Sequence, residues 1–259
     1  AMTRKNGLYL LLFALFLGAA LRGPGWFTDE EMKRWGLYEV DEEQHVAIMM
    51  HRFNKLSRDN GLDTIEHSYH DRDYNVQGYG RLNAALLYAG FTPQGDKPVF
   101  SEVLRFGRQI STLYALLLII VVFQMGKLGG LSPPAAGVAA LLMAACDVNA
   151  TYSHYALPAS GYIFFSYLAL YGGMILIRRI SWWGLIFLAI GAGGAIGFKY
   201  DVFPMVTGGS LLLALTFLRG REQRLPWYFV VLGSGLLVSW LSLLWTGWSW
   251  ADVKYSFDT

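Results

Sequence analysis

Residues 4–22 read RKNGLYLLLFALFLGAALR, an apolar run with two cations before it and one after it. A helix of roughly 20 mainly apolar residues is long enough to cross the hydrocarbon core of a membrane. The run therefore predicts a membrane-spanning helix near residues 7–23. A signal peptide is the alternative, but Gly18-Ala19-Ala20 matches a cleavage site only weakly, so we expect the helix to be retained.

The composition extends this prediction to the rest of the chain. Of the 259 residues, 54% are hydrophobic and 15% are charged, which excludes a disordered chain and is typical of a membrane protein. The net charge of +2 is too small to indicate a nucleic-acid partner. We predict an all-α polytopic bundle of about seven transmembrane helices, forming one module over residues 1–259. The six further spans are expected near residues 107–126, 131–148, 155–177, 182–199, 201–218 and 226–247.

The lysines and arginines of the short connections predict the orientation of the bundle. Cytoplasmic loops of membrane proteins carry an excess of these residues. When seven spans are threaded in order, one side receives Arg4, Lys5, Lys127, Arg178, Arg179, Arg219, Arg221 and Arg224. We therefore expect a multi-pass protein of a bacterial or archaeal cell membrane with a cytoplasmic N-terminus. Residues 24–106 would then form a long extracytoplasmic loop.

The long loop contains an acidic cluster, Asp41-Glu42-Glu43-Gln44-His45, a short way after the first span. Asp41 suits the N-cap of a helix, because Gln44 follows at the third helical position in a capping-box pattern. The apolar residues that follow fall on one face, so we predict an amphipathic helix lying along the membrane surface. A second helical stretch is expected to begin at Arg81.

The middle of the loop carries side chains of the kinds that bind metals. His67 and His70 form a His-x-x-His pair, and Asp71 and Asp73 follow directly. Imidazole and carboxylate ligands suit zinc or manganese. The alternative is a solvated polar loop, which such a stretch more often is. We therefore expect no cofactor and keep a divalent cation as the second possibility.

Three stretches of the chain share their order and spacing with a known class of membrane enzymes. The first is Asp41-Glu42 opening a surface helix after span one, and the second runs from Arg108-Gln109-Ile110-Ser111 to Ser153-His154-Tyr155-Ala156. The third runs from Gly194 to Lys199-Tyr200. Together they resemble the GT-C glycosyltransferases, in particular the protein O-mannosyltransferases and the aminoarabinose transferase of lipid A. The resemblance covers residues 8–218 and matches the N-terminal seven-span module of that family.

The resemblance implies an enzyme that takes a sugar from a polyprenyl-phosphate donor at the extracytoplasmic face. One displacement at the anomeric carbon would transfer the sugar with inversion to an acceptor that the sequence does not identify, whether protein, lipid or glycan. Asp41 would act as the base, and Glu42 would support it. Candidates for binding the lipid phosphate are Lys199, Arg108, Arg72, Arg81 and Tyr200.

Each of these assignments has a structural alternative. Asp41 could serve only as a helix cap, although a capped helix would also hold a catalytic carboxylate in place. Arg108 and Lys199 could reach the membrane surface simply as interfacial residues whose charged ends extend into water.

Two departures from the family pattern favour a second hypothesis. The second outer turn, where the family often has a carboxylate, reads Leu157-Pro158-Ala159-Ser160. The chain also stops just after the seventh predicted span, so it is expected to be truncated or to need a partner chain. The alternative is therefore a non-catalytic membrane subunit or lipid-binding scaffold. A transporter is disfavoured because the predicted spans are nearly free of internal charge.

Overall fold

The computed structural model describes residues 4–23, 100–156, 159–179 and 181–198. This part of the chain is helical and contains no strand, in agreement with the predicted all-α class. The helices are α1 (Arg4–Arg22), α2 (Phe100–Leu128), α3 (Pro133–Ala144), α4 (Asp147–Ser153), α5 (Ala159–Arg178) and α6 (Trp182–Phe198). The predicted surface helices of the long loop and the sixth and seventh predicted spans lie outside the described residues.

Three of these helices are long and apolar enough to cross a membrane. They cover Lys5–Arg22, Leu104–Leu128 and Ala159–Arg178. The pair α3 and α4 adds a fourth if it counts as one span bent by 54°, and α6 is apolar but has 17 residues. The first five predicted spans thus coincide with described helices, whereas the total of seven remains a sequence prediction.

The third predicted span differs from a single straight helix. Ser132 caps α3 by accepting a hydrogen bond from the backbone N–H of Ala135, and proline fills the first helical position. The helix ends at Ala144, Cys146 adopts an extended conformation, and the chain then forms α4. Residues 147–153, at the end of the third predicted span and in the short connection that follows it, are therefore a second, tilted helix.

Close packing of α5 on α6 depends on glycines. A Cβ atom on Gly172 would overlap the backbone of Leu188, and one on Gly191 would overlap the backbone of Ala169. Small residues allow two membrane helices to approach closely enough for extensive van der Waals contact. The two helices therefore form a tight hairpin.

A second core joins α1, α2 and α3. Leu11 and Ala14 of α1 pack with Ile119 and Phe123 of α2 and with the alanine face of α3. The opposite side of α1 leaves large apolar side chains uncovered, including Phe16 at 72% exposure. Exposed apolar surface of this kind is expected of a helix that faces lipid.

Aromatic rings connect the two halves of the bundle. The ring centroid of Tyr114 on α2 lies 5.6 Å from the ring centroid of Phe164 and 5.5 Å from that of Phe165, and both phenylalanines are on α5. It also meets Phe198, the last residue of α6, edge-on at 5.4 Å. The C-terminal end of α6 is thereby fixed against α2 and α5.

Candidate functional site

A layer of buried polar side chains lies at the end of the bundle where α1 ends and α2 begins. It gathers residues from α1, α2 and the α4 region, which meet although they are far apart in sequence. We call it the polar layer, and it consists of Arg22, Arg108, Ser111, Thr112, Asn149, Ser153 and His154, each at most 9% exposed. Burial of this many polar groups in an otherwise apolar bundle is costly unless they are paired, so the layer is a candidate functional site.

Arg22 is the most deeply buried charge of the layer, with no exposed surface. Its Nη1 donates to the carbonyl oxygen of Gly18 at 2.9 Å and to that of Ala144 at 3.2 Å. These two hydrogen bonds fix the guanidinium between α1 and the end of α3. Its Nε and Nη2 atoms are buried and have no hydrogen-bond partner within the part of the chain that is described.

His154 holds the C-terminal end of α1 from the other side. Its Nε2 lies 2.8 Å from the carbonyl oxygen of Leu21. A carbonyl only accepts, so Nε2 carries the proton in this contact. Burial lowers the pKa of His154, the hydrogen bond to Leu21 opposes this shift, and the charge of Arg22 adds to it. The net effect lowers the pKa of His154 and favours the neutral imidazole.

Hydrogen bonds to backbone carbonyls tie α4 to its neighbours. Thr112 of α2 donates to the carbonyl oxygen of Ser153 at 3.2 Å. Ser153 in turn donates to the carbonyl oxygen of Ala150 at 2.6 Å, and Asn149 donates to that of Met143 at 3.5 Å. The short helix α4 is thus held against both α2 and the end of α3.

Arg108 is the only predicted site residue within the described ranges. It lies one helical turn before Thr112, on the same face of α2, and is 1% exposed. A side chain whose charged end extends into water at the membrane surface would be exposed, and that of Arg108 is buried. Arg108 is instead a buried member of the polar layer.

The other predicted site residues lie outside the described residues. This holds for the proposed catalytic pair Asp41 and Glu42 and for the phosphate-binding candidates Arg72, Arg81, Lys199 and Tyr200. It holds equally for the metal-binding candidates His67, His70, Asp71 and Asp73. Within the described ranges, no group of three potential metal ligands occurs.

Sequence reasoning missed Arg22 and His154 as site residues. Arg22 was interpreted only as the end of the first span, and His154 only as part of a stretch resembling the family. A signal for Arg22 was present, because it follows an apolar run on the side where positive residues are not expected.

Comparison with known proteins gives no further identification. No protein family, no curated protein and no solved structure matches this chain. The resemblance to GT-C glycosyltransferases therefore depends on the sequence pattern described above.

Proposed function

We propose that this chain is a membrane glycosyltransferase that moves a sugar from a polyprenyl-phosphate donor to an acceptor at the extracytoplasmic face. The observation that carries the proposal is the polar layer, which buries Arg22 and Arg108 at one end of an apolar bundle. Buried cations at the end of membrane helices suit an anionic lipid headgroup whose tail stays in the bilayer.

In the proposed reaction, the acceptor attacks the anomeric carbon while the bond to the phosphate oxygen breaks. The lipid phosphate leaves with the bonding electron pair, and the acceptor proton passes to the carboxylate of Asp41. Guanidinium groups stabilise the charge that develops on the leaving phosphate, since their N–H groups match its oxygens. Arg108 would supply this charge together with Lys199, and Glu42 would support Asp41.

Replacing Asp41 with Asn tests the proposal. Membrane vesicles containing the full chain and native acceptors are given polyprenyl-phosphate mannose or polyprenyl-phosphate aminoarabinose, and the released polyprenyl phosphate is measured. Loss of a general base lowers rates by about 10²–10⁴-fold, so Asp41→Asn should lower transfer by that factor. Asp59→Asn is the matched control and should transfer normally. Equal transfer by wild type and Asp41→Asn would exclude the proposed mechanism.

A non-catalytic subunit of the same fold is the second candidate. The observation that favours it is that Arg22, Thr112, Asn149 and Ser153 all donate to backbone carbonyls, which is how a structural layer would hold helices together. This alternative predicts that no tested donor is consumed and that Asp41→Asn leaves the function of the assembled complex unchanged.

A further inference from the structure

One edge of the Arg22 guanidinium has no hydrogen-bond partner among the residues that the structure describes. Within the same residues, the two hydrogen bonds of this side chain come from Nη1 and reach the carbonyls of Gly18 and Ala144. The Nε–H and one N–H of Nη2 point in parallel from the opposite edge, and both atoms are buried. This edge is the one that arginine uses to bind carboxylate or phosphate oxygens in a bidentate manner.

The charge of Arg22 also requires compensation. A guanidinium remains protonated in proteins, so it cannot avoid the cost of burial by losing its proton. Asp147 is the nearest carboxylate in sequence to the α3–α4 break that Arg22 contacts, but it is exposed and accepts a hydrogen bond from Thr151. Among the side chains that the structure describes, which are those of residues 5–23, 104–156, 159–179 and 181–198, no buried carboxylate neutralises Arg22.

The position of Arg22 suits a phosphate group. Arg22 is the last residue of an apolar helix that is long enough to cross a membrane, and lipid headgroups lie near the ends of such helices. Arg108 of α2 is a further buried cation at this end of the bundle. The oxygens of a phosphate match the paired N–H groups of a guanidinium.

We propose that Arg22 binds a phosphate group through its Nε–H and Nη2–H edge, with Nη1 held by Gly18 and Ala144. The phosphate is that of a lipid headgroup or a free phosphate, and both present the same oxygens. For the identity of the lipid, the inference rests on the proposed function. For the phosphate chemistry, it stands on the geometry of Arg22 alone.

Phosphate binding is tested with the full chain in dodecyl maltoside micelles, which contain no phosphate. Farnesyl phosphate, farnesol and inorganic phosphate are added separately, and affinity is followed by the rise in Tm. Farnesyl phosphate should stabilise the wild type more than farnesol does. An equal effect of inorganic phosphate would support the same site and identify free phosphate as the ligand. Equal stabilisation by farnesol and farnesyl phosphate, with none by inorganic phosphate, would overturn the proposal.

Variants assign the effect to Arg22. Arg22→Gln should weaken farnesyl phosphate binding at least about tenfold, because hydrogen bonds to a charged group are lost. Arg22→Lys keeps the charge but not the paired N–H groups and should recover only part of the affinity. The exposed Arg178→Gln is the matched control and should bind as the wild type does. Wild-type affinity in Arg22→Gln would overturn the proposal.

A crosslinking experiment on the wild type covers the case in which neither Arg22 variant folds. A photoreactive farnesyl phosphate with a diazirine beside the phosphate should label residues 18–23 or 144–154. Labelling confined to other residues would overturn the assignment. These experiments measure phosphate binding and not sugar transfer. If the chain binds farnesyl phosphate through Arg22 but transfers no sugar in the vesicle experiment, only the proposed function is refuted.

Discussion

His154 shows how one buried side chain can fix the end of a helix that is distant from it in sequence. Its hydrogen bond to the carbonyl oxygen of Leu21 fixes the point at which the chain leaves α1. The carbonyls near a helix end have no partner within the helix, so this bond also satisfies a group that would otherwise be unpaired. His154 thus fixes the C-terminal end of α1.

The first prediction concerns pH. The pKa of His154 is lower in the folded chain than the ordinary value of 6.5, so the unfolded chain binds the proton more readily. The stability that the neutral imidazole contributes is complete above pH 6.5 and decreases as the pH falls below it. Thermal unfolding in detergent between pH 7.5 and 5 should therefore show a falling Tm.

The variant His154→Gln tests the origin of this effect. Glutamine keeps an Nε2 donor for the Leu21 carbonyl but does not titrate, so the decrease in Tm should become smaller. The decrease in Tm of each protein is measured relative to its own value at pH 7.5. An identical pH dependence in His154→Gln and the wild type would contradict the prediction.

A second prediction compares two arginines of α2. Arg108 is 1% exposed, whereas Arg105, less than one turn away, is exposed. Loss of a buried, charged donor leaves its surroundings unsatisfied, so Arg108→Gln should lower the free energy of unfolding by about 1–3 kcal/mol. Arg105→Gln should change it by less than about 0.5 kcal/mol. Denaturant titration of both variants measures the difference, and equal effects would argue against burial of Arg108.

At the scale of elements, α4 and the α5–α6 hairpin determine where the polar layer lies. The break between Ala144 and Asp147 turns α4 by 54°, which brings Ser153 and His154 against α1 and α2. The glycine contacts of α5 with α6 then set how the end of α6 meets Tyr114. The position of the site is therefore a consequence of one helix break and one tight helix pair.

A third prediction addresses this helix pair. Gly191→Ala places a Cβ atom into the backbone of Ala169, and a backbone cannot move aside as a flexible side chain can. We expect a loss of about 1–3 kcal/mol in the free energy of unfolding. Gly23→Ala is the control, because a Cβ atom there meets nothing within 4 Å. If Gly191→Ala were as stable as the control, α5 and α6 would have to lie further apart than they do in this structure.

At the scale of the whole molecule, the open question is which side of the membrane the polar layer faces. The positively charged connections predict that the end carrying Lys127, Arg178 and Arg179 faces the cytoplasm. The polar layer lies at the ends of α1 and α4, which the same prediction assigns to the other side. Glycosyl transfer from an extracytoplasmic donor requires this orientation.

The fourth prediction tests the orientation by labelling. In a Cys146→Ala background, the exposed residues Leu131 and Val148 are replaced singly by cysteine, and intact cells are treated with a membrane-impermeant maleimide. Val148→Cys should react in intact cells, whereas Leu131→Cys should react only after permeabilisation. The reverse result would place the polar layer in the cytoplasm and would rule out the proposed function.

The sequence by itself predicted the all-α class and the approximate positions of α1, α2, α3, α5 and α6. Each apolar run is long enough to satisfy its own backbone hydrogen bonds as a helix in lipid, so hydropathy along the chain is sufficient to locate it. It also predicted Arg108 as a phosphate-binding candidate, and that role remains a prediction.

Only the tertiary structure decided which polar groups meet. The short helix α4 was not predicted, because no local pattern shows that a seven-residue helix will be held in place by Thr112. The free edge of Arg22 could not be predicted either, since it depends on the carbonyl of Ala144, which is 122 residues away in sequence. Helix packing sets such distances, and packing depends on how all the apolar faces fit together.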